Sequence, residues 1–202
     1  MIESTEDVLA LSSAVPKGPE ESQAFRLAQL LLLLSVASDV NVTIATLDRL
    51  AAFDFLAANP FIAVSTGTAN DDRDRLRLRL AGFSDQQLAY ASTGQRFISR
   101  RERVQQDLAL LIAFGLVAIR SGGYSLTTSG RENAERLQSL YAETYREGAA
   151  VVLRRLGRLS NLRLSKQMES WLGRSWLLID LLDDVVDAQP TERSTRGRGS
   201  DG

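Results

Sequence analysis

The sequence of 202 residues contains no histidine and no cysteine. Without histidine there can be no Ser-His-Asp triad and no imidazole that acts as a general base near neutral pH. Without cysteine there is no thiolate nucleophile, no disulfide and no Cys/His zinc site. Any chemistry would depend on carboxylates, lysine or tyrosine. These absences favour a binding protein that uses no cofactor over an enzyme.

The chain also lacks an excess of charge of one sign, with 24 Lys+Arg against 25 Asp+Glu. A free-standing nucleic-acid-binding domain is usually strongly basic. Only Lys17 and Lys166 are lysine, so nearly all the cations are arginine. Arginine suits bidentate pairing at interfaces, although a GC-rich genome produces the same bias. The composition therefore gives nucleic-acid binding little support.

Long hydrophobic runs are missing as well. The most apolar segment, residues 27–37, is bounded by Arg26 and Asp39. It is shorter than the roughly 20 residues that a membrane-spanning helix needs. At the N-terminus no basic segment precedes an apolar core, as a signal peptide requires. We therefore expect a soluble, cytoplasmic protein that does not enter a membrane.

Composition divides the chain into a central helical region and two polar ends. Residues 1–22 are polar and contain Pro16 and Pro19, which predicts a flexible arm. Residues 189–202 are poor in apolar side chains, which predicts a disordered tail. The units predicted between these ends are a main domain over residues 23–157, an insertion within it at about 61–98, and a C-terminal helical extension over 158–188.

The first half of the main domain shows two helical patterns. Apolar residues predict a mostly buried helix over residues 24–38, and a β-prone stretch follows over 40–44. A second helix is predicted to begin near Thr46. It ends before Pro60, because the residue preceding a proline is disfavoured in the helical conformation.

The insertion allows two local structures. Arginine and leucine alternate over residues 75–80, and this period of two is typical of a strand. Asp71 and Asp72 lie just ahead and could equally cap a short helix. The pattern leaves both structures open.

Capping boxes predict where the later helices begin, since Ser followed three residues later by Glu or Gln satisfies free backbone donors. The first box predicts a short helix, the second a helix over residues 100–114, and the third a long helix that reaches Val151. A last helix is predicted over 164–187. The three boxes are Ser84 with Gln87, Ser99 with Glu102, and Ser129 with Glu132.

The stretch after the third helix has the most specific pattern. Gly115 ends the helix, residues 116–120 predict a strand and residues 124–127 predict the return strand. The turn between them, Ser121-Gly122-Gly123, offers glycines where positive φ is needed. This segment resembles the wing of MarR- and PadR-like regulators. The matching residues are Gly115, Leu116, Val117, Tyr124, Leu126, Thr127 and Gly130.

The order helix, short strand, helix, helix, hairpin, helix is that of a winged helix. We therefore predict a mainly α fold with a small β-hairpin wing. In this prediction a winged helix-turn-helix is split by the insertion and is followed by C-terminal helices.

A closer resemblance extends over residues 26–157. Its pieces are Asp48-Arg49-Leu50, Phe53-Asp54-Phe55-Leu56, an insertion, Arg100-Arg101-Glu102, Leu108, Leu111, Gly115-Leu116-Val117 and the run over residues 139–157. In these pieces the chain resembles the middle component of bacterial ABC-three-component (ABC-3C) conflict systems. The resemblance implies a non-enzymatic winged-helix adaptor beside an SMC- or Rad50-like ATPase and an effector. It also implies that the system acts against phage or other invading DNA.

The alternative is a dimeric winged-helix transcriptional regulator, in which the C-terminal helices form the homodimer. For a regulator, the third helix would read DNA in the major groove. With Val104, Leu108 and Leu111 turned inward, small and apolar residues face outward, and these suit a packed helix better than phosphate. Either the chain's own last helix or an external partner could cover them. Together with tryptophans, which are frequent in interface hot spots, the candidate interface residues are Gln106, Ala109, Leu110, Ala113, Trp171 and Trp176.

Arginines near this helix are candidate contacts to nucleic acid or to a partner. These candidates are Arg96, Arg100, Arg101, Arg103 and Arg120. A further group precedes them in the insertion and consists of Arg73, Arg75, Arg77 and Arg79. Binding of single-stranded nucleic acid would require aromatic residues interleaved with the arginines, and this region has few of them. We therefore favour a solvated or partner-pairing face, in which Asp71, Asp72 and Asp74 neutralise the insertion arginines.

One acidic motif has the spacing of a magnesium site. The residues Asp183, Asp184 and Asp187 form the DDxxD pattern known from prenyl-transferring enzymes. Such a site also needs a second acidic cluster on a facing helix, and the sequence offers none. An amphipathic helix with a charged outer face explains the motif, so we expect no metal.

Overall fold

The computed structural model describes residues 18–85, 93–120 and 122–172. These residues form a mainly helical structure with a two-stranded antiparallel hairpin, which confirms the coarse part of the predicted fold class. The helices are α1 (Gln23–Asp39), α2 (Leu47–Ala58), α3 (Ala69–Leu80), α4 (Thr93–Ala113), α5 (Thr128–Arg136), α6 (Leu140–Leu156) and α7 (Asn161–Leu172). The strands are β1 (Val117–Arg120) and β2 (Gly123–Leu126). Short 3-10 turns lie at Pro19–Glu21 and Pro60–Ile62.

Helix α1 forms the centre of the core, as its apolar run predicts. Its five successive leucines, Leu30 to Leu34, are all buried. A helix that is apolar on every side needs neighbours on every side, and α1 packs against α2, α4, α5 and α6. Its observed bounds differ from the predicted 24–38 by one residue at each end.

Helix α2 begins and ends where the sequence predicts. The Thr46 side chain accepts a hydrogen bond from the Arg49 backbone N–H at 3.3 Å. The helix ends at Ala58, and Pro60 starts the following 3-10 turn. The stretch over residues 40–44 is not a regular strand, because only Ile44 pairs, forming a bridge with Tyr124 of β2.

Gly123 makes this bridge sterically feasible. Its φ is 142°, and a Cβ atom there would lie 2.1 Å from the Ile44 carbonyl oxygen. Only glycine allows β2 to approach residue 44 this closely. The predicted glycine-containing hairpin is thus confirmed, with Val117 paired to Leu126 and Arg120 paired to Gly123.

In the insertion, residues 69–80 form helix α3, so of the two structures that the pattern leaves open the helix is the one observed. The cap is Thr68, whose side chain accepts from the Asp71 backbone N–H at 3.1 Å; Asp71 and Asp72 lie in the first turn. A helix is compatible with the alternating leucines because Leu78 is buried while Leu76 and Leu80 are exposed.

Helix α4 begins earlier than its capping box predicts. Ser99 lies inside the helix, since α4 extends back to Thr93. The additional residues are stabilised by tertiary packing: Gly94 and Phe97 are buried, and the Phe97 and Phe55 rings meet edge to face with centroids 5.4 Å apart. Local capping chemistry is outweighed by this contact.

The predicted long helix after the hairpin is two helices. The N-cap of α5 is Thr127 rather than Ser129, since the Thr127 hydroxyl accepts from the Gly130 N–H at 3.0 Å. The chain leaves the helical conformation at Leu137, whose ψ is 81°. Ser139 then caps α6 by accepting from the Ala142 N–H at 3.1 Å.

Helix α7 begins at Asn161, ahead of the predicted start at residue 164. Several predictions lie outside the described residues: the arm over residues 1–17, the box partner Gln87, the end of the last helix and the tail. Among the described helices, none is both long and apolar enough to cross a membrane.

Candidate partner interface

The outward face of α4 is exposed as the helical geometry predicts. Gln106, Ala109 and Ala113 are exposed and Leu110 is half-buried. The opposite stripe, Val104, Leu108 and Leu111, lies in the core. The structure therefore brings four of the six interface candidates together on one helix face.

The described part of the last helix does not cover this face. Helix α7 packs on α2 instead, where Leu164, Met168 and Leu172 join the core. Trp171 is half-buried against the same core, so it serves packing within the chain. Trp176 lies outside the described residues.

Two large apolar side chains follow the α4 face along the chain. Phe114, directly after α4, is 62% exposed, and Ile119 on β1 is 69% exposed. Exposed apolar residues that form a contiguous patch are typical of surfaces that bind proteins. We call Ala109, Ala113, Phe114 and Ile119 the α4–wing surface.

The candidate arginines occupy three different environments. Arg101 pairs with Asp48 at 2.9 Å, and Arg96 approaches Glu20 at 3.6 Å. Arg103 and Arg120 are exposed. Arg100 points into the protein.

Arg100 forms a buried ion pair, so the structure places it in the core rather than on a nucleic-acid-binding surface. Its Nη2 lies 3.0 Å from Asp54 Oδ1 and 2.7 Å from Gln29 Oε1. The side chains of Arg100 and Asp54 are only 14% and 4% exposed. Burial disfavours the charged guanidinium, but the Asp54 carboxylate outweighs it, and the pKa of Arg100 stays above its ordinary value.

Two tyrosines of α6 complete this buried network. The Tyr145 hydroxyl donates to Asp54 Oδ1 at 2.7 Å, and Gln29 donates to the Tyr141 hydroxyl. Sequence reasoning missed these partners of Arg100. The available signal was Asp54 itself. A carboxylate between Phe53 and Phe55 is expected to be buried, and a buried carboxylate needs a cation as its partner.

A second buried arginine joins α2 to the end of α6. Arg49 donates to the Gly157 carbonyl at 2.6 Å and to the Leu159 carbonyl at 2.7 Å, and it lies over the Phe53 ring at 5.0 Å. Burial lowers the pKa of Arg49. A cation is favourable at a helix C-terminus, so Arg49 fixes the turn that leads into α7.

Three of the four insertion arginines, Arg75, Arg77 and Arg79, pair with carboxylates other than the predicted ones. Arg77 meets Glu147 of α6 at 2.6 Å, and Arg79 meets Asp85 at 2.8 Å. Asp71 instead pairs with Arg155 of α6 at 2.8 Å. The hydrogen bond from Thr68, followed by the interaction with Arg155, lowers the pKa of Asp71. The pairs Arg77–Glu147 and Asp71–Arg155 dock α3 on α6.

The buried tyrosines predict alkaline sensitivity. Burial raises the pKa of Tyr141 from 10.0 to about 12 and raises the pKa of Tyr145 well above 10.0. In the unfolded chain both would ionise near pH 10. The free energy of unfolding should therefore be constant with respect to these groups below pH 10 and fall as the pH rises toward 12.

Urea unfolding at several pH values checks this expectation. Tyr145→Phe should make the decline shallower, since one buried phenol no longer titrates. An unchanged slope in Tyr145→Phe would contradict the assignment of the decline to this residue.

No group of His, Cys, Asp and Glu that could bind a metal ion occurs among the described residues. The DDxxD motif at Asp183 lies beyond them. What the described residues offer for function is an exposed apolar surface on α4 and arginines paired with carboxylates.

The chain matches a protein-family model over part of its length. No curated protein and no solved structure matches this chain. Residues 85–177 match a family model, and this segment contains α4, the hairpin and helices α5 to α7. The matched family is the ABC-three component (ABC-3C) system Middle Component 2, and the match supports the resemblance to an ABC-3C middle component that the sequence predicts.

Proposed function

We propose that this chain is a non-enzymatic winged-helix adaptor, the middle component that links an SMC- or Rad50-like ATPase to an effector in a bacterial anti-phage or conflict system. The family match over residues 85–177 is the observation that carries the proposal. A component of a multi-protein system needs protein partners, and the α4–wing surface offers an exposed apolar site for one of them.

The element order supports the winged-helix part of the proposal. Helix α4 packs against α2, as the recognition helix of a helix-turn-helix does against its partner helix. The hairpin β1–β2 follows α4 directly, and the bridge from Ile44 to Tyr124 adds a third short pairing position. In this proposal α4 is the recognition helix, the two-stranded hairpin is the wing, and α3 occupies the insertion.

The charges near α4 favour a protein partner over DNA. Arg96, Arg100 and Arg101 each have a carboxylate partner in the chain. Only Arg103 and Arg120 remain as exposed candidates from the original five. The affinity of a protein for DNA rises with the number of exposed cations that neutralise phosphates. With two such arginines, this surface is expected to bind DNA weakly.

Co-purification tests the adaptor proposal. We expect the tagged chain to bring down the ATPase and effector encoded beside its gene. Ala109→Glu should reduce recovery of at least one partner roughly tenfold or more, because a carboxylate would be desolvated in an apolar contact. Ala24→Glu, at an exposed position of α1, is the matched control and should leave recovery unchanged.

The regulator alternative predicts a different result. The chain would then purify alone as a homodimer and shift a specific promoter fragment, and Arg103→Glu with Arg120→Glu would abolish the shift. This outcome, or equal recovery of partners with Ala109→Glu and Ala24→Glu, would contradict the proposed function.

A further inference from the structure

A cleft with two lobes opens beside the 3-10 turn Pro19–Glu21. One lobe has a volume of about 270 Å³ and the other about 300 Å³. Glu20, Asn59 and Arg96 line both lobes, so the two adjoin at these residues. Lobes of this size, with aromatic walls and a few polar groups, are typical of small-molecule sites.

The first lobe carries charges of both signs. Arg96, Ser99 and Arg103 of α4 line it together with Glu20 and Glu21. Arg26 and Arg100 also line it, but their guanidinium groups are bound to Asp107 and Asp54. Three donor side chains on successive turns of one helix can meet an anionic group, since residues three and four apart share a helix face.

The second lobe is aromatic. Phe25, Phe83, Tyr141 and Tyr145 line it. The Phe25 and Tyr141 rings lie with centroids 4.8 Å apart. A flat, apolar ring system would pack well against such walls.

Asn59 provides the specific polar group between the lobes. The residue is 5% exposed, and its Nδ2 donates to the Phe55 carbonyl at 2.9 Å, which determines the orientation of the amide. Its Oδ1 has no hydrogen-bond partner and is the one such buried side-chain atom in the part of the chain that the structure describes. A buried acceptor without a donor is unfavourable, so an N–H or O–H group that reached this atom would be bound favourably.

Glu20 occupies the position that an anion would take. Its carboxylate lies 3.6 Å from the Arg96 guanidinium, and both side chains are partly exposed. The pair lines the cleft next to Asn59. An exposed pair of this kind contributes little stability, so a ligand anion can replace the carboxylate beside Arg96 at little cost.

We propose that this cleft binds a nucleotide, with the base in the aromatic lobe, a base N–H donating to Asn59 Oδ1, and the phosphate on Arg96 and Arg103 in place of Glu20. Base stacking on aromatic rings tolerates any base, and each of the four bases carries an N–H donor. Arginine binds phosphate through charge-assisted, often bidentate, hydrogen bonds. A bare anion would leave the aromatic lobe and Asn59 unused.

Calorimetric titration of the purified full chain tests the site. The probes are AMP, GMP, CMP and UMP, with the matching nucleosides and inorganic phosphate as partial ligands. We expect at least one nucleotide to bind about tenfold or more tightly than both its nucleoside and inorganic phosphate, because each partial ligand loses one lobe. Arg96→Gln should weaken nucleotide binding by a similar factor.

Glu20→Gln gives a result that misfolding cannot imitate. Removing the competing carboxylate should tighten nucleotide binding several-fold, whereas Glu132→Gln, a matched change on α5 that does not line the cleft, should leave binding unchanged. The proposal is overturned if no nucleotide binds at about 1 mM, the weak end of measurable affinity. It is also overturned if phosphate alone binds as tightly, or if Glu20→Gln and Arg96→Gln both leave the affinity unchanged.

The nucleotide proposal goes beyond the adaptor function, and the two can fail separately. Titration uses the chain alone and does not depend on partners. Co-purification depends on the α4–wing surface, which shares no residue with the cleft. Absence of nucleotide binding would therefore leave the adaptor proposal intact, and the reverse also holds.

Discussion

Arg100→Leu is expected to lower the free energy of unfolding by about 3–5 kcal/mol, because it leaves a buried carboxylate without its cation. Asp54 is 4% exposed on its side chain and accepts from both Arg100 and Tyr145. After the substitution, of these two donors to Asp54 the neutral Tyr145 hydroxyl would remain. Gln29 would also lose its bond from Arg100.

Urea unfolding monitored by circular dichroism measures this loss. The double variant Arg100→Leu with Asp54→Leu should recover most of it, since a buried pair can often be exchanged for apolar residues at little cost. Arg101→Leu is the matched control on the neighbouring residue. Its partner Asp48 is 69% exposed, and an exposed pair contributes at most about 1 kcal/mol. Equal losses in Arg100→Leu and Arg101→Leu would show that burial of the pair is not what matters.

Gly148→Ala is expected to lower the free energy of unfolding by about 1–3 kcal/mol through overpacking. Gly148 lies inside α6, where helix propensity alone predicts that alanine would raise stability by about 1 kcal/mol. The structure reverses this sign. A Cβ atom at Gly148 would lie 2.4 Å from the Ala57 carbonyl oxygen and 2.8 Å from Phe83 Cζ.

The same unfolding assay distinguishes the two expectations. Gly18→Ala is a suitable control because its φ is −61° and the nearest atom to its Cβ would be 3.8 Å away. We expect that control to change stability by no more than about 0.5 kcal/mol. A rise in stability for Gly148→Ala would mean that α6 and α2 do not approach as closely as the structure shows.

Prediction from sequence succeeded where one short segment contains the whole signal. The five leucines of α1, the cap at Thr46 and the break at Pro60 each define their element within a few residues. The glycine turn of the hairpin does the same. In each case the cause is local: hydrophobic periodicity, a side chain that caps its own helix, or a backbone conformation that glycine favours.

Prediction failed where a distant residue competes with the local signal. Ser99 and Glu102 have capping-box spacing, but contact of Phe97 with Phe55 extends α4 past them. Over residues 75–80 the local pattern left a strand and a helix open, and ion pairs of Asp71 and Arg77 with α6 accompany the helix that forms.

The candidate surface was partly predictable. Helical rotation alone places Gln106, Ala109 and Ala113 outward, and the structure exposes them. The arginines were not predictable, since the same residue type lies buried at Arg100 and exposed at Arg103. Which of the two environments applies depends on whether a carboxylate from another helix, here Asp54, lies within reach.

By itself the sequence determined that the fold would be mainly helical, because the spacing of apolar residues is a property of the chain as written. The lack of histidine and cysteine likewise gave the expectation that the protein uses no cofactor. Only the tertiary structure decided which charges are buried, where α4 begins, and that Asn59 Oδ1 lacks a partner beside a two-lobed cleft. The physical reason is that burial and pairing depend on distances between segments that are far apart in the chain. Arg100 and Asp54, separated by 46 positions, illustrate this. From its residue type each would be expected on the surface, and the fold brings the two together in the core.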